Sequence, residues 1–351
     1  MPTPKRIVVI RLDRLGDVVL SLPVVQELRK HFPDVYIAMM VRPACVDVVR
    51  GHPAIDEVLV YDKDGLHRSL RATIRFARTV RKAQFDTAII LHPTNRSHCV
   101  AWLAGIPMRI GYRRKCGWLL TYRLPHRKQE GAYHESLYSL ELLRPLGIEA
   151  QDPQPFVAIQ PEAVHRVEAR LTEVGISPTD TIVAVHPSSS SISKRWMPER
   201  FAAVADQLAT AHGVRICIVA GAESESVRSA QEMAGAMTQP VLNLAGQLSI
   251  AESAALLKRS RLLISNDSGP VHLAAAVGTP VVAIFGRNQR GLSQRRWGPR
   301  GKGHVVLQKD VGCVTCLADQ CDIEFLCLTS LHVEEVYRAA VSILTSTRLT
   351  G

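Results

Sequence analysis

The sequence predicts an α/β protein built from two doubly wound domains, each with a parallel sheet covered by helices on both faces. Short runs of β-branched residues alternate with amphipathic helical stretches along the 351 residues, which is typical of this class. The succession of strand, polar turn and helix starts at "RIVVIRLDRLGD" near the N-terminus and starts again at "TIVAVHPSSSS" in mid-chain. A content of 46% hydrophobic residues is sufficient for two separate cores.

The expected strands follow one another in order along each domain. The first domain has the strands RIVVI, YIAMMV, EVLVY and TAIIL, with helical stretches such as residues 66–82 between and after them. The second domain has the strands TIVAVH, RICIVAG, LLIS and PVVAIFG. A proline-rich connector, with prolines at 153, 155, 161 and 178, separates the two sets. We therefore expect domains over residues 1–160 and 161–330.

The final segment predicts one closing helix. In "HVEEVYRAAVSILTS" the apolar residues recur with a period of 3.6, at positions 333, 336, 340, 341 and 344. Such a stripe requires a surface to pack on. We place this helix within residues 331–351.

The charge balance predicts an anionic partner. Lys and Arg exceed Asp and Glu by 11, and the sequence pI is about 9.5, which fits nucleic acid, anionic lipid or phosphorylated small molecules. The apolar stretch of residues 7–10 is too short for a secretory signal, and no stretch approaches a membrane span. We expect a cytoplasmic protein with a peripheral contact to the membrane surface, whose eight cysteines do not form a disulfide framework.

The turn after the first strand carries charged residues where α/β proteins bind ligands. In "RLDRLGDVVLSLP" the candidates are Asp13, Arg14 and Asp17, at a strand-to-helix turn. The turn lacks the G-x-G-x-x-G fingerprint, so a dinucleotide dehydrogenase is not predicted.

The segment "SNDSGPVHLAAAVG" predicts an anion site in the second domain. A strand ends in Asn-Asp-Ser-Gly-Pro, and Pro270 suits the first position of the following helix. Ser268 or Asp267 is suited to cap that helix. Its free N–H groups and dipole favour a pyrophosphate. The alternative is an ordinary capped helix in a sheet protein.

Two further strand ends of this domain support nucleotide binding. Serines 188–191 offer hydroxyl donors, and Lys194 offers a mobile charge suited to phosphate. Glu223 and Glu225 follow the next strand, where a carboxylate is placed to accept from ribose hydroxyls. The alternatives are a solvated polar loop and acidic residues favoured by a helix N-terminus. The convergence of three strand ends favours the nucleotide site.

Four motifs together resemble a known family. The stretches "RLDRLGDVVLSLPVVQELRKHFP", "SKRWMPERFAAVADQL", "NLAGQLSIAESAALLKRS" and "SNDSGPVHLAAAVGTPVVAIFG" resemble glycosyltransferase family 9, the heptosyltransferases of bacterial lipopolysaccharide synthesis. The resemblance implies the GT-B fold, in which two Rossmann-like domains face a cleft and a C-terminal helix returns to the first domain. It also implies inverting, metal-independent transfer of heptose from ADP-heptose, without a cofactor.

The resemblance assigns the donor site to the second domain. Lys194 would neutralise the departing diphosphate, Glu225 would bind the ribose with Glu223 as the near alternative, and Leu248 would pack on adenine. The remaining residues implied to line the diphosphate and ribose are Ser188, Ser189, Asp267, Ser268, Gly269, Pro270 and His272.

The resemblance assigns the base and the acceptor to the first domain. The base that takes the proton of the acceptor hydroxyl would be Asp17, beside Gly16, which permits close approach. Asp13 is the competing candidate, and its alternative role is a salt bridge to Arg11 or Arg14. The acceptor would be the anionic inner core of lipopolysaccharide, either Kdo–lipid A or a heptosylated intermediate. Its candidate contacts are Asp13, Arg14, Asn95, Arg113 and Arg114. Arg96 and His98 follow the same strand end as Asn95 and are likewise expected to reach the ligand cleft.

Several alternatives stay open on the sequence. Another GT-B enzyme could use a different nucleotide sugar with a lipid-linked or polysaccharide acceptor, since "RNQRG" stands where the family often has a Thr-Asp-Pro-like turn. A nucleic-acid binder is not expected, because no aromatic stacking stripe accompanies the basic residues. Cys313, Cys316, Cys321 and Cys327 have a spacing that permits a structural zinc site, the alternative being reduced thiols or a local disulfide.

Overall fold

The computed structural model describes residues 3–151, 153–316 and 318–346. The chain divides into two compact units, Met1–Ala158 and Ile159–Gly351. This division falls close to the predicted boundary at residue 160. The closing segment belongs to the second unit.

The first unit contains a six-stranded parallel sheet in the order β3-β2-β1-β4-β5-β6. Its strands are β1 (Arg6–Ile10), β2 (Tyr36–Val41), β3 (Glu57–Val60), β4 (Thr87–Ile90), β5 (Met108–Tyr112) and β6 (Tyr122–Leu124). Its α-helices are α1 (Leu15–Val19), α2 (Leu22–His31), α3 (Val46–Val49), α4 (Leu70–Lys82), α5 (Asn95–Leu103) and α6 (Glu135–Glu141).

The centre of this sheet is apolar on both faces, as parallel sheets require. In β1, Ile10 lies opposite Met40 of β2 and Ile90 of β4, and all three are fully buried. The chain reverses its direction of winding between β1 and β4, because β2 and β3 lie on one side and β4 to β6 on the other. Ligands of doubly wound sheets bind at such a switch point, beyond the carboxyl ends of the strands.

The second unit repeats the same topology, with the sheet order β12-β11-β10-β7-β8-β9. Its strands are β7 (Ile182–His186), β8 (Arg215–Ile218), β9 (Val241–Asn243), β10 (Leu262–Asn266), β11 (Val281–Phe285) and β12 (Val305–Gln308). Its α-helices are α7 (Pro161–Glu173), α8 (Pro198–His212), α9 (Ser224–Ala236), α10 (Ile250–Arg259), α11 (Gly269–Ala276), α12 (Gln294–Trp297), α13 (Leu326–Thr329) and α14 (Val333–Thr345). Its switch point lies between β7 and β10.

The predicted closing helix is α14, and its apolar side lies in the core of the second unit. Val336, Ala340 and Ile343 are buried there with Trp196, whose indole N–H donates to the carbonyl of Leu331. The return of this helix to the first domain, which the resemblance implies, stays a prediction. Residues 347–351 of the predicted segment lie outside the described residues.

None of the helices in the described part of the chain is long and apolar enough to cross a membrane.

Candidate active site

The switch point of the second unit brings together the residues predicted to bind a diphosphate. Lys194 Nζ lies 2.6 Å from Asp267 Oδ2, and Ser189 Oγ donates to the carbonyl of Asp267 at 3.1 Å. Asp267 is buried at the end of β10, whereas the lysine side chain remains partly exposed. The loop after β7 is therefore fastened to the end of β10, with its ammonium group at the surface of the site.

A buried histidine that the sequence analysis did not single out links two predicted phosphate-binding hydroxyls. His186 Nε2 lies 3.4 Å from Ser188 Oγ, and its Nδ1 lies 3.2 Å from Ser268 Oγ. Burial lowers the pKa of His186 to about 4, so the ring is neutral at pH 7. A neutral imidazole has one donor and one acceptor, and His186 links the two hydroxyls, which themselves donate to Ser226 and to the carbonyl of Asn266. The sequence did contain a signal for this role, because His186 is a polar residue at the carboxyl end of the predicted strand TIVAVH.

Helix α11 begins at this site as predicted, but its N-cap differs from the expectation. Ser268 occupies the N-cap position with no side-chain cap hydrogen bond. Its hydroxyl instead contacts His186 and donates to the carbonyl of Asn266. Gly269 and Pro270 form the first turn, and His272 is buried one turn into the helix. The first turn thus presents backbone N–H groups suited to an anion.

The predicted ribose carboxylate belongs to a charged cluster beside residues 187–197, the loop between β7 and α8, which we call the serine loop. Glu225 lies in the first turn of α9 and contacts Arg195 and Arg228. The hydrogen bond from Arg228 and the charge of Arg195 lower the pKa of Glu225, so its carboxylate stays ionised. Arg195 also donates to the carbonyl of Ser189 at 2.9 Å, which ties the ribose candidate to the phosphate loop.

The other two ribose and adenine candidates of this unit lie at or near helix starts. Glu223 is the N-cap residue of α9. Leu248 is half-buried in the turn between β9 and α10.

The atypical turn after β11 also contacts the serine loop. Arg287 donates from Nη2 to Ser191 Oγ at 2.7 Å and from Nε to Ser193 Oγ at 2.8 Å. Ser191 in turn donates to Asp319 at 3.0 Å. The first arginine of "RNQRG" therefore fixes the loop that carries Lys194, a role that the sequence analysis did not foresee.

The switch point of the first unit is organised around a buried arginine. Arg11, which is only 2% exposed, lies 3.0 Å from Asp13 and 2.7 Å from Asp17. Its third carboxylate partner is the buried Glu135 at 3.3 Å, which also accepts from Lys128 at 2.6 Å. Arg11 is thus a local charge partner. Asp13 does form the salt bridge to Arg11 that was its alternative role. Asp17 pairs with the same guanidinium, so the salt bridge does not distinguish the two aspartates.

The two aspartates differ in the direction of their pKa shifts. Burial raises the pKa of Asp17, and the charge of Arg11 offsets this only in part. Burial also opposes ionisation of Asp13, but His92 and Arg11 outweigh it and lower the pKa of Asp13. A general base is most effective when its pKa lies near the working pH. The shifts therefore favour Asp17 over Asp13 as the base.

His92 was not singled out from the sequence, although it directly follows the strand run TAIIL. Its Nδ1 lies 2.6 Å from Asp13 Oδ1, which joins the carboxyl ends of β4 and β1 across the switch point. This contact holds Asp13 in place.

The acceptor candidates are only partly available to a ligand. Asn95, Arg113 and Arg114 are exposed, at the start of α5 and just after β5, and Arg14 is exposed at the N-cap of α1. Arg96 instead donates to the carbonyls of residues 63, 67 and 68, so its expected role as an acceptor contact is replaced by a structural one.

The expectation that His98 reaches a ligand is wrong. Its side chain is fully buried in α5, because it lies on the face of that helix that packs inward. Neither ring nitrogen has a hydrogen-bond partner among the described residues.

The four late cysteines are free thiols. They line a cavity of about 150 Å³ beside Arg287. Within the described ranges no three His, Cys, Asp or Glu side chains are grouped so as to hold a metal ion. Zinc binding by Cys313, Cys316, Cys321 and Cys327 stays a prediction.

Burial of neutral histidines predicts a loss of stability in acid. Burial lowers the pKa of His98 to about 4, against about 6.5 in the unfolded chain. Between these values the unfolded chain binds a proton that the folded chain does not, so stability falls as the pH drops from 7 to 5, by about 1–2 kcal/mol for this group. We expect His98→Leu to weaken this pH dependence of the thermal unfolding midpoint, and the exposed His165→Gln to leave it unchanged. Equal pH dependence in wild type and His98→Leu would contradict the assignment.

Comparison with known proteins identifies the family. The profile of "Glycosyltransferase family 9 (heptosyltransferase)" matches residues 73–326. The chain belongs to glycosyltransferase family 9. It is therefore a glycosyltransferase, as the four sequence motifs predicted.

Relatives of known sequence and structure agree with the family 9 assignment. The chain is 26% identical over 285 residues to lipopolysaccharide heptosyltransferase 3 of Escherichia coli, covering 77% of this chain and 80% of that protein. A family 9 glycosyltransferase from Veillonella parvula superposes with a TM-score of 0.85 at 27% identity, covering 98% of both chains. The E. coli ADP-heptose LPS heptosyltransferase II superposes with a TM-score of 0.80 at 19% identity, covering 97% of this chain and 98% of that chain. Together with the two parallel sheets, these structures confirm the predicted GT-B fold class.

Proposed function

We propose that this family 9 enzyme transfers heptose from ADP-heptose to the inner core of lipopolysaccharide, with inversion and without a metal ion. The observation that carries the proposal is the Lys194–Asp267 pair beside the first turn of α11. An ammonium group and a helix N-terminus offer the positive charge that a diphosphate leaving group needs. Relatives named as heptosyltransferases of lipopolysaccharide support the choice of sugar and acceptor.

The reaction divides into two tasks, one for each unit. In the first unit, Asp17 accepts the proton of the acceptor hydroxyl as that oxygen attacks C1 of the heptose. In the second unit, the bond from C1 to the diphosphate oxygen breaks, and Lys194 with the N–H groups of α11 stabilises the charge that develops on ADP. A single displacement of this kind inverts the configuration at C1.

The acceptor is Kdo–lipid A or a heptosylated intermediate, an anionic glycolipid. The exposed Arg113 and Arg114 suit its phosphate and carboxylate groups. The second unit binds the nucleotide-sugar donor. A lipid-anchored acceptor also places the enzyme in peripheral contact with the cytoplasmic face of the inner membrane.

A donor screen tests the proposal. Purified protein is incubated with Kdo–lipid A or with a heptosylated core, and with ADP-heptose, UDP-sugars or GDP-sugars in the presence of a chelator. We expect transfer and ADP release with ADP-heptose alone, and NMR of the product linkage should show that the configuration at C1 is inverted relative to the donor. Transfer from a UDP- or GDP-sugar instead would favour another nucleotide-sugar donor, and loss of activity with the chelator would contradict metal independence.

A further inference from the structure

One segment of the first unit concentrates positive charge. Residues 65–85 contain six Lys and Arg and no Asp or Glu, in a chain whose net charge is +11. All six side chains are exposed. These residues are Arg68, Arg71, Arg75, Arg78, Arg81 and Lys82.

Helical geometry places most of these charges on one face of α4. The spacings of four, three and four residues align Arg71, Arg75, Arg78 and Lys82 in a stripe. The opposite side, with Thr73, Ala77 and Val80, is buried. The cationic stripe therefore points away from the core of the unit.

Exposed apolar side chains accompany this stripe. Leu66 and Leu70 are 75% and 72% exposed; Leu70 is the first residue of α4, and Leu66 precedes it in the loop. Trp102, on the neighbouring helix α5, is 51% exposed. Protein surfaces that lie in a membrane interface typically combine leucine and tryptophan with arginine. We call Leu66, Leu70 and the six cations the α4 surface.

Arg96 fixes the α4 surface relative to the carboxyl edge of the sheet. Its guanidinium holds the carbonyls of residues 63, 67 and 68, in the loop that follows β3. Lys63 of the same loop donates to the carbonyl of Leu12 at 3.3 Å, directly before Asp13. The apolar end of the α4 surface thus lies at the same edge of the sheet as the aspartates.

We propose that the α4 surface docks on an anionic lipid bilayer. Each cation near such a surface contributes about 1 kcal/mol, or roughly a fivefold factor in partitioning. Insertion of Leu66 and Leu70 into the interface removes apolar surface from water. Exposed leucines favour a bilayer over nucleic acid, which offers them no apolar phase. The proposal rests on the membrane contact proposed above and names the surface that makes it.

Sedimentation with vesicles tests the docking. The full-length protein is mixed with vesicles of phosphatidylcholine alone or with about 30% phosphatidylglycerol, at low and high salt. We expect binding only to the anionic vesicles, weakened by salt. The triple variant Arg71→Gln, Arg75→Gln, Arg78→Gln should lose about 10- to 100-fold in partitioning. A matched triple on exposed cations of the second unit, Lys258→Gln, Arg295→Gln, Lys302→Gln, should retain binding.

The apolar part of the α4 surface is tested separately. The double variant Leu66→Ser, Leu70→Ser should reduce the binding that survives at high salt, while the charge-dependent part remains. If the two triple variants lost vesicle binding equally, net charge alone would explain the binding, and the proposal would be overturned. So would binding of wild type to an RNA oligonucleotide in preference to anionic vesicles.

Transfer assays separate this proposal from the proposed function. With a deacylated, water-soluble core acceptor, the α4 triple variant should transfer at the wild-type rate, whereas with acceptor embedded in anionic vesicles it should be slower. If wild type transfers heptose but binds no vesicles, only the docking fails. If wild type binds vesicles through α4 but transfers no heptose, only the proposed function fails.

Discussion

Asp17→Asn is expected to lower turnover by about 10²- to 10⁴-fold, the usual contribution of a general base. The amide retains the size of the carboxylate and a contact to Arg11, but it does not accept a proton. Because Asp17 belongs to the first unit and the proposed ADP site to the second, ADP affinity should stay near that of wild type. Steady-state transfer assays and calorimetric titration with ADP measure the two effects.

The pH dependence of the reaction adds a second readout for Asp17. Burial raises the pKa of Asp17, and a base acts only when deprotonated, so kcat/KM of wild type should rise with pH through a pKa higher than that of an ordinary aspartate. Asp13→Asn serves as the matched variant, since Asp13 contacts the same guanidinium but has a lowered pKa. Asp13→Asn should keep the rise of kcat/KM with pH, which we call the acid limb, and should lose less turnover than Asp17→Asn. If Asp13→Asn abolished the limb and Asp17→Asn did not, the two roles would be exchanged.

The sequence was sufficient to predict that the residues of the proposed donor site lie close together, because each of them lies near the end of a strand. Lys194 and Asp267 are 73 positions apart, yet each follows a recognisable strand, and neighbouring parallel strands bring their carboxyl ends together. The same rule located Asp13 and Asp17. Periodicity likewise located α14, whose stripe of apolar residues is buried in the core of the second unit.

The side-chain pairings inside the sites could not be predicted from the sequence. Arg11 and Glu135 are 124 positions apart, and nothing in the composition of "HESLYS" marks Glu135 as a buried partner. His98 was misassigned because a histidine near a strand end is equally compatible with a ligand contact and with an inward helix face, and only packing decides. The role of Arg287 was not predicted for the same reason, because its contacts depend on how the turn after β11 packs against the loop after β7.

Removal of the Lys194 ammonium group at the proposed donor site should lower turnover about as much as Asp17→Asn does, but for a different reason. Lys194→Gln is expected to lower turnover by about 10²- to 10³-fold, the usual loss when one donor to a developing negative charge is removed. ADP binding should also weaken by roughly tenfold. The reason is that Asp267, a buried carboxylate that now contacts Lys194 at 2.6 Å, would face the diphosphate without its cation, and like charges at short range repel.

A double variant separates these two consequences of losing Lys194. In Lys194→Gln, Asp267→Asn the uncompensated carboxylate is gone, so ADP affinity measured by calorimetry should recover toward wild type. Turnover should not recover, because the ammonium group that stabilises the leaving group is still absent. Lys194→Arg is the control that keeps the charge and should retain most ADP binding. Recovery of turnover in the double variant would show that Lys194 serves only to neutralise Asp267, and the assignment of leaving-group stabilisation would have to pass to the first turn of α11 alone.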